Sequence, residues 1–593
     1  MSNVADSAAL HSPSGTTSRD PALRRQYLTA AWSAVPRILA SVDRNSFGPS
    51  YGCCDRQYWH YRTAAFPSEM YQEAALPLAL AFVRDLPGNT WFGEPRMAEA
   101  AVAVMRFSAR SAHRDGSADD YYPNERALGA AVFSLQAQVE AYRRLRLDDP
   151  ELLRFFERRA NWIAAHGESG RLTNHHALAA LALWRTGELL NRADLKRAAR
   201  VKTDDVLTSQ HDEGWFPEYD GADPGYQTVT IDCLAKLRRE AGWADLTTSL
   251  EHALDFLRWF GHRMGGVGGE YGSRGTRHFY SHGIELLAGE SAVAAELADG
   301  YLHGLARGSV AEFGDDRMYV HRTAGLIEAY DDWSPTRPDG CAERCGARWF
   351  PGAGLLSIRD ELGHTVVSTA RGGAFQIDRA TAKPTIVAVD AGLVVELQDG
   401  RVGVSQTHDR TREVSFCGGA MATLAGAMCD HPTDHGHANV AMAPEHVAEI
   451  VVRSNLRTVR FERVTPLKQS LLHLGMQLVG SWGRDLARRL LQRRVIDRQA
   501  ELPIMLERCF RFERDATGEN ISAVHVVDRI ELTDPRLVVR RLALASDLQA
   551  AYTAASQVYS PVMLVPWHDL AERVDELNRR RCVEIERSFR LTA

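Results

Sequence analysis

The first half of the chain carries apolar residues at steps of three and four positions. Six segments show this pattern, and they read AALPLALAFVRDL, MAEAAVAVMRFSARSA, ERALGAAVFSLQAQVEAYRRLRL, HHALAALALWRTGELL, VTIDCLAKLRREAG and LEHALDFLRWF. This period is that of an amphipathic helix. Short links with Gly, Asp or Pro separate the segments, and helices joined by short links tend to pack as antiparallel pairs. The sequence therefore predicts a ring or a solenoid of helical hairpins.

The pattern changes near Asp339 to Arg348, where the sequence reads DGCAERCGAR. Beyond this segment, apolar and polar residues alternate in HTVVSTAR, PTIVAVDA, EIVVRS and SAVHVVDRIEL, among others. Alternation of period two predicts strands, and strands without intervening helices indicate an antiparallel sandwich. We therefore expect an α+β multidomain chain, helical first and β-rich afterwards.

The length of 593 residues exceeds what one hydrophobic core usually organises. We predict a disordered tail over residues 1–22, a helical catalytic domain over 23–340 and a β-sandwich over 345–593. A helical insertion interrupts the sandwich at about 465–500. Its segment Leu467–Arg498 begins apolar and ends with many arginines. That composition is typical of an ordinary helix with a solvated basic end, or of a helix that lies on a membrane or a partner.

Charge and cysteine usage narrow the function classes. A formal net charge of −6 excludes a generally basic nucleic-acid binder, although Arg and Lys lining one groove can still hold a polyanion. The nine cysteines show neither an even count nor a repeated metal-ligand spacing, which favours a reduced compartment. The first residues lack the basic start and apolar run of an export signal, so we expect a cytoplasmic protein. No segment reaches the roughly 20 apolar residues of a spanning helix.

Four segments carry a resemblance to a known family. They are YGCCDRQYWHYR (Tyr51–Arg62), TNHHALAALAL (Thr173–Leu183), EGWFPEYDGADPGYQ (Glu213–Gln227) and GGEYGSRGTRHFYSHG (Gly268–Gly283). On these segments the chain resembles the heparinase II/III-like polysaccharide lyases, of the alginate- and heparin-lyase-like type associated with exopolysaccharide loci. The resemblance implies an N-terminal (α/α) incomplete toroid followed by an antiparallel β-sandwich. It also implies cleavage of a uronic-acid-containing polysaccharide by β-elimination, in exopolysaccharide metabolism.

Such a reaction removes the proton on the carbon beside a uronate carboxylate, so the site must offset growing negative charge. The resemblance gives this role to Asn174 and His175, with His176 in reserve. Asn174 also stands at the start of an apolar helix, where an N-cap role would contribute about 1 kcal/mol. His175 and His176 are neighbours on a helix, so their side chains cannot face the same place. The alternative to a catalytic role is that one of them is a surface histidine and the other is packed in the core.

The resemblance assigns Tyr226 as the catalytic acid and base. A phenol has a pKa near 10, so it protonates a leaving oxygen readily but acts as a base only beside positive charge. Arg274 and Arg277, in a Gly-rich loop, are the candidates for that charge or for a bidentate contact with the substrate carboxylate. His278 and Tyr280 follow in the same stretch as candidate substrate-binding residues. The alternative for Tyr226 is an aromatic ring packed at a helix start.

In the β-rich half, the H-x-H-x-D-type segment of many family members is missing. His408, in SQTHDR, is the nearest equivalent and a candidate second base. A later cluster could bind zinc through imidazole and carboxylate groups, although such loops are more often solvated. Its members are Asp430, His431, Asp434, His435 and His437. We otherwise expect no cofactor.

Aromatic residues in connecting segments are candidate platforms for sugar rings. We prefer Trp215 and Tyr122, because each lies beside Pro and charged residues and outside an apolar helical stripe. The expected ligand is an acidic polysaccharide or oligosaccharide, and no nucleic acid.

Two other function classes remain open from the sequence. The first is a glycoside hydrolase on the same ring, for which Glu218, Asp220, Asp223 and Glu270 supply carboxyl groups. The second is a catalytically inactive polysaccharide-binding protein of an exopolysaccharide biosynthesis system. The missing histidine segment favours the second class. A membrane or synthase contact through 467–498 would also suit it.

Overall fold

The structure is a computed structural model of the chain. It describes residues 16–168, 172–219, 221–310, 318–339, 345–381, 384–409, 413–417, 440–442, 447–459, 465–479, 500–545 and 568–592.

The first half of the described chain is helical. Its helices are α1 (Arg25–Ser41), α2 (Arg56–Trp59), α3 (Ala75–Val83), α4 (Pro95–Ser111), α5 (Leu128–Arg144), α6 (Pro150–Ala165), α7 (Thr173–Leu189), α8 (Ala193–Ser209), α9 (Pro224–Ala241), α10 (Leu246–Leu257), α11 (Ser281–Ala288), α12 (Ala292–Arg307) and α13 (Met318–Asp331). Short 3₁₀ helices cover Glu69–Ala74 and Arg258–Phe260.

These helices form a two-layered ring. The inner layer consists of α3, α5, α7, α9, α11 and α13, each packed on the next, and α13 also packs on α3. The outer helices α4, α6, α8, α10, α12 and α1 pack against the inner ones. An inner helix is surrounded by neighbours, so it is apolar on nearly every side, as in the buried run 177–183 of α7. The predicted helical toroid is confirmed. Its inner helices form a closed circuit, whereas the resemblance implied an incomplete ring.

The two ends of the ring differ in their loops. Four of the links from an outer helix to the next inner helix have 14 or more residues, and they cover 42–74, 112–127, 210–223 and 258–280, whereas 166–172 has seven. The links from an inner to an outer helix have three to five residues at 145–149, 190–192, 242–245 and 289–291, and eleven at 84–94. Because successive helices are antiparallel, the long loops gather where the inner helices begin. We call this end the loop end, and long surface loops are where binding residues concentrate.

Toward the opposite end, charged side chains pair inside the ring. Arg185 of α7 donates to Glu240 of α9 through Nε at 3.0 Å and Nη2 at 2.6 Å. Lys236 of α9 lies 2.7 Å from Asp232 and 3.5 Å from Glu328 of α13. Buried charges are tolerated because each has an opposite partner. These pairs tie three inner helices together.

The second half of the described chain is built mainly from strands. The strands of the chain are β1 (Thr16–Ser18), β2 (Pro217–Glu218), β3 (Gly221–Ala222), β4 (Thr336–Pro338), β5 (Gly346–Phe350), β6 (Leu355–Arg359), β7 (Gly363–Ser368), β8 (Ala374–Arg379), β9 (Thr385–Asp390), β10 (Gly392–Leu397), β11 (Val402–Val404), β12 (Glu413–Cys417), β13 (Val440–Met442), β14 (Glu449–Val459), β15 (Glu501–Arg514), β16 (Ile521–Leu532), β17 (Val539–Ala545), β18 (His568–Asp569) and β19 (Cys582–Arg590). Helices α14 (Pro466–Val479) and α15 (Ala571–Arg580) accompany them.

Two antiparallel sheets face each other. One has six strands in the order β13-β5-β6-β7-β8-β9. The other has nine strands, in the order β18-β17-β10-β11-β14-β15-β16-β19 with β12 paired to β14. Phe375 and Ile377 of the first sheet share a core with Phe510 and Val526 of the second. The predicted antiparallel sandwich is confirmed. Among the described helices, none is both long and apolar enough to cross a bilayer.

The N-terminal segment differs from the expected tail over residues 1–22. Within it, β1 pairs antiparallel with β4, with Thr17 opposite Arg337. The short strand β4 between the two domains offers backbone hydrogen-bonding groups that a polar segment can satisfy. Residues 1–15 lie outside the described residues.

The two domains share one apolar cluster. The helical domain contributes Trp215, Ala222, Phe256, Trp259, Phe260 and Tyr271, and the sandwich contributes Phe350, Ala353, Leu355 and Val366. Polar contacts surround the cluster: Glu213 Oε1 accepts from the Gly352 amide at 2.6 Å, and Ser357 Oγ donates to the Trp259 carbonyl at 2.7 Å. The sandwich is thereby fixed against the loops 210–223 and 258–280.

Candidate active site

Asn174 lies at the loop end, as the second residue of α7. Its side chain is 1% exposed, and Nδ2 donates to a carboxylate oxygen of Glu218. Its Oδ1 is buried and has no hydrogen-bond partner among the described residues. The residue before the helix, Leu172, is the N-cap and provides no side-chain cap. Asn174 therefore does not cap its helix, and its amide faces the site.

Glu218 ends the short strand β2, whose hairpin partner is β3. Its Oε1 accepts from Arg274 Nη1 at 3.1 Å. Burial raises the pKa of Glu218 to about 8, and this effect exceeds the lowering by the positive charge of Arg274. The negative charge of Asp223 raises the pKa further. At neutral pH the carboxyl is therefore largely protonated, and the guanidinium keeps its net charge.

Arg274 also lies against two aromatic rings. Its guanidinium carbon is 4.3 Å from the centroid of the Tyr219 ring and 5.2 Å from that of the Tyr226 ring. A cation over an aromatic face is attracted to the ring quadrupole. Tyr219 holds a positive φ of 51°, which is strained for a side chain of this size. The hairpin thus carries backbone strain where it meets the guanidinium.

Tyr226 is the third residue of α9 and is half-buried. Asp223 caps this helix, and its Oδ1 accepts from the Tyr226 amide at 3.0 Å. The other oxygen of Asp223 accepts from the Arg274 amide at 2.9 Å. One carboxylate therefore positions both the tyrosine and the arginine. Asp223 is occupied by backbone donors, which removes it from the carboxyl groups proposed for a hydrolase.

His278 and Tyr280 lie behind Tyr226. His278 is fully buried, and its ring meets that of Tyr226 edge-on at 5.5 Å. Burial, and after it the charge of Arg274, lowers the pKa of His278 to about 3, so the imidazole is neutral. Tyr280 is 4% exposed. Both side chains are buried behind Tyr226, and their role in binding substrate stays a prediction.

His175 and Tyr226 line the same interior. A continuous row of rings, with centroid separations from 5.1 to 6.0 Å, runs through His175, Phe133, His321, Tyr280, His278 and Tyr226. His175 Nδ1 is 3.0 Å from Glu168 Oε2. The pKa of His176 is lowered by burial and then by the charge of Lys202 on α8. The two neighbouring histidines face different places, and His175 is the one inside the ring.

His408 reaches the site from the sandwich. It follows β11, and a Cβ added at Gly221 would collide with its Nε2. The imidazole therefore rests on the backbone of the hairpin that carries Glu218. Arg371 fixes this arrangement, because its Nε donates to the Gln406 carbonyl at 3.0 Å and its Nη1 to the Gly272 carbonyl at 2.6 Å. One arginine thus joins the His408 loop to the Gly-rich loop of Arg274.

Arg277 points away from Arg274. It is half-buried, and its Nη1 donates to the Gly268 carbonyl at 3.5 Å. Its charge acts on Tyr271, whose pKa burial raises and Arg277 lowers. Its role in binding substrate stays a prediction.

The predicted sugar platforms differ in their exposure. Trp215 is 2% exposed, its Nε1 donates to Glu213 at 2.8 Å, and its ring stacks on His211 at 4.5 Å. The ring is buried in the cluster that the helical domain shares with the sandwich, and a role for Trp215 in binding sugar stays a prediction. Tyr122 is half-buried in the loop between α4 and α5. Its neighbour Tyr121 is 69% exposed and interacts electrostatically with Tyr219 at the site.

One group of residues in the described chain could hold a metal ion. Ligand atoms of His262, His364 and Asp378 lie within 4.8 Å of one another, and all three residues are buried. His262 Nδ1 is 2.9 Å from Asp378 Oδ2, and its Nε2 is 2.8 Å from the Gly268 carbonyl. Two imidazoles and a carboxylate suit zinc, and here they form a buried polar group under the Gly-rich loop. The cluster predicted at 430–437 lies outside the described residues.

Neither a family model nor a curated protein matches this sequence. Solved structures do. The chain is similar to the chondroitin AC lyase of Streptomyces coelicolor A3 in complex with chondroitin sulphate, at 12% identity and a TM-score of 0.49 over 90% of this chain and 69% of that chain. A heparinase III matches at 10% identity and a TM-score of 0.35, over 87% of this chain and 71% of that chain.

A β-L-arabinofuranosidase of family GH127 from Geobacillus stearothermophilus T6 matches at 10% identity and a TM-score of 0.35, over 98% of this chain and 97% of that chain. The similar structures thus include lyases and a hydrolase. Likeness at these identities and scores carries no argument about activity, so function must come from the site.

The structure brings Asn174 and Arg274 together on Glu218. Tyr226 lies against the Arg274 guanidinium, and His408 lies against Gly221 of the same hairpin. Sequence reasoning named Glu218 only as a hydrolase carboxyl. A signal was present, because Glu218 lies five residues before the cap Asp223 and so close to Tyr226. The contact between Glu218 and Asn174 joins residues 44 positions apart, so a local sequence pattern could not predict it.

Proposed function

We propose that the chain is a polysaccharide lyase that cleaves a uronic-acid-containing polysaccharide by β-elimination, in exopolysaccharide metabolism. The observation that carries the proposal is the guanidinium of Arg274 at 5.2 Å from the ring centroid of the half-buried Tyr226. A phenol near pKa 10 acts as a base only where positive charge stabilises the phenolate. Arg274 supplies that charge next to the ring that needs it.

The electrostatics of the loop end suit an anionic substrate. The inner helices begin there, so their N-terminal partial charges, roughly +0.5 each, point at the same space. Glu218 is mostly protonated at neutral pH and repels a carboxylate little, while Arg274 remains charged. The site therefore favours a uronate over a neutral sugar.

In the proposed reaction, the Tyr226 phenolate takes the proton from the carbon beside the uronate carboxylate. The electron pair forms a carbon–carbon double bond, and the glycosidic carbon–oxygen bond on the next carbon breaks. The departing oxygen takes a proton from Tyr226, or from His408 in its protonated form. Asn174 and His175 hydrogen-bond the carboxylate as negative charge develops on it. The products are an unsaturated uronate and a shortened chain.

The described carboxyl groups favour a lyase over a hydrolase. Hydrolysis needs two carboxyls flanking one bond, with room for the sugar between them. Asp223 accepts from backbone amides, and Glu218 is buried between Asn174 and Arg274. Glu270 is also buried, at 4% exposure. Asp220 lies outside the described residues.

Replacing Tyr226 with Phe tests the proposal. The variant keeps the ring and loses the proton-transfer group, so we expect kcat to fall by about 10²–10⁴ while KM changes little. Turnover is measured as new ultraviolet absorbance of the unsaturated uronate on alginate, heparosan, hyaluronan and glucuronan. Tyr330→Phe, at the far end of α13, is the matched control and should retain turnover.

Each outcome is decisive. Wild-type turnover in the Tyr226→Phe variant would overturn the assignment of the base. New reducing ends without new absorbance would identify a hydrolase. Retained polysaccharide binding with no product from the wild-type protein on any polymer that it binds would favour the inactive binding protein.

A further inference from the structure

Helix α14 presents an apolar stripe to solvent. Leu467, Leu471, Leu474 and Leu478 are 70%, 59%, 54% and 74% exposed. Ten large hydrophobic side chains are at least 45% exposed in the described chain, and four of them lie on this one helix. At about 100° per residue, positions spaced by 4, 3 and 4 fall within an arc of about 60°. The four leucines therefore form one continuous face.

The other side of α14 is attached to the protein. Met476 is 3% exposed and lies about half a turn from the leucine face. The ring of His473 meets Phe66 edge-on at 6.5 Å, so the helix docks beside one of the long loops of the helical domain. A helix that is apolar on both sides is normally covered on both sides. The outward face is therefore suited to a partner surface.

The sequence of α14 and of the residues that follow it is basic. No acidic residue occurs between Glu462 and Asp485, and Lys468 on the helix is exposed. The sequence that follows, residues 484–498, contains six arginines and two aspartates, in a chain whose net charge is −6. That segment follows α14 in the sequence and lies outside the described residues.

We propose that the leucine face of α14 docks on a lipid bilayer that contains anionic headgroups. Leucine side chains enter the boundary between headgroups and acyl chains, and nearby basic residues are attracted to the anionic surface. A second copy of the helix would also match leucines spaced by 4, 3 and 4. The like charges of two basic copies would repel, whereas an anionic bilayer attracts them. The contact is peripheral and independent of the lyase activity.

Vesicle flotation of the full chain tests this proposal. We expect flotation with vesicles of phosphatidylcholine mixed with phosphatidylglycerol, and much less with phosphatidylcholine alone or at high salt. The double variant Leu471→Gln with Leu474→Gln should lower the partition coefficient by at least about tenfold. Its melting temperature should not change, because both leucines are exposed. Val201→Gln with Val538→Gln, at exposed apolar positions elsewhere, is the matched control.

Three results would overturn the proposal. The first is no flotation of the wild-type chain with either vesicle. The second is flotation that the leucine variants leave unchanged or that needs no anionic lipid. The third is a dimer in sedimentation velocity that the leucine variants abolish, which would assign the face to a second copy of the chain.

Discussion

Glu218 is buried between the amide of Asn174 and the guanidinium of Arg274. A nearby cation normally lowers the pKa of a carboxyl, but removal from water favours its neutral form. Here the second effect is larger, and the pKa rises to about 8. The carboxyl then holds Arg274 in place by hydrogen bonding without cancelling its charge. The burial of Glu218 thus leaves the positive charge of Arg274 available to an anionic ligand.

Replacing Glu218 with Gln should change how stability depends on pH. The pKa of the folded state, about 8, lies above the ordinary 4.5, so between these values the folded protein holds a proton that the unfolded chain has released. The contribution of this proton to stability is complete below pH 4.5, declines as pH rises, and is lost above about 8. Gln mimics the protonated form and does not titrate.

We therefore expect the variant to gain stability relative to the wild type between pH 5 and pH 8, by on the order of a few kcal/mol. Urea unfolding at pH 5, 6.5 and 8 measures the difference. Glu99→Gln, at an exposed position of α4, serves as the control and should follow the wild-type curve. Parallel curves for wild type and Glu218→Gln would show that the carboxyl is ionised throughout this range.

Trp215 shows where reasoning from sequence fails at the residue scale. Its neighbours include charged residues and Pro217, which is typical of an exposed connection. The ring is buried in a cluster that includes Phe350 and Val366, more than 130 positions away. Tyr226 could be found because its motif is local. The burial of Trp215 and the pairing of Glu218 could not, because both arise from contacts between distant segments.

At the scale of elements, six helices of the ring and most strands of the sandwich could be predicted from period alone. The six are α3, α4, α5, α7, α9 and α10. A helix that is apolar on every side is usually buried, so the almost wholly apolar run 177–183 of α7 already indicates an inner helix. The closure of the ring could not be predicted, because it depends on α13 meeting α3. The strand β1 was missed for a similar reason, since its polar residues gain their partners only from β4.

The charge pairs inside the ring should matter for stability at this scale. Arg185→Leu leaves Glu240 without its partner, and breaking a buried pair costs about 3–5 kcal/mol. We expect a lower urea midpoint with little change in the slope of the transition. Adding Glu240→Leu to the same chain should recover part of the loss, because no buried charge then remains uncompensated.

Arg197→Leu, at an exposed position of the outer helix α8, is the matched control. It should change the free energy of unfolding by no more than about 0.5 kcal/mol. A similar loss in both arginine variants would mean that the charge pair is not what stabilises the ring.

At the scale of the whole molecule, the two domains depend on each other. Separate domains of one chain usually meet through a small polar interface. Here Trp215 and Phe260 of the helical domain pack in one cluster with Phe350 and Val366 of the sandwich. His408 and Arg371 of the sandwich also complete the site on the helical ring. The catalytic unit proposed above is therefore the pair of domains.

Because the cluster belongs to both domains, we expect them to unfold together. Trp215→Ala leaves a cavity there and should cost about 3–5 kcal/mol. Hydrogen exchange with mass spectrometry in increasing urea should show peptides of α5 and of β15 losing protection at one midpoint, and the substitution should lower both midpoints equally. If the sandwich peptides kept the wild-type midpoint while the helical peptides shifted, the domains would be independent. The position of His408 at the site would then not depend on the packing between the two domains.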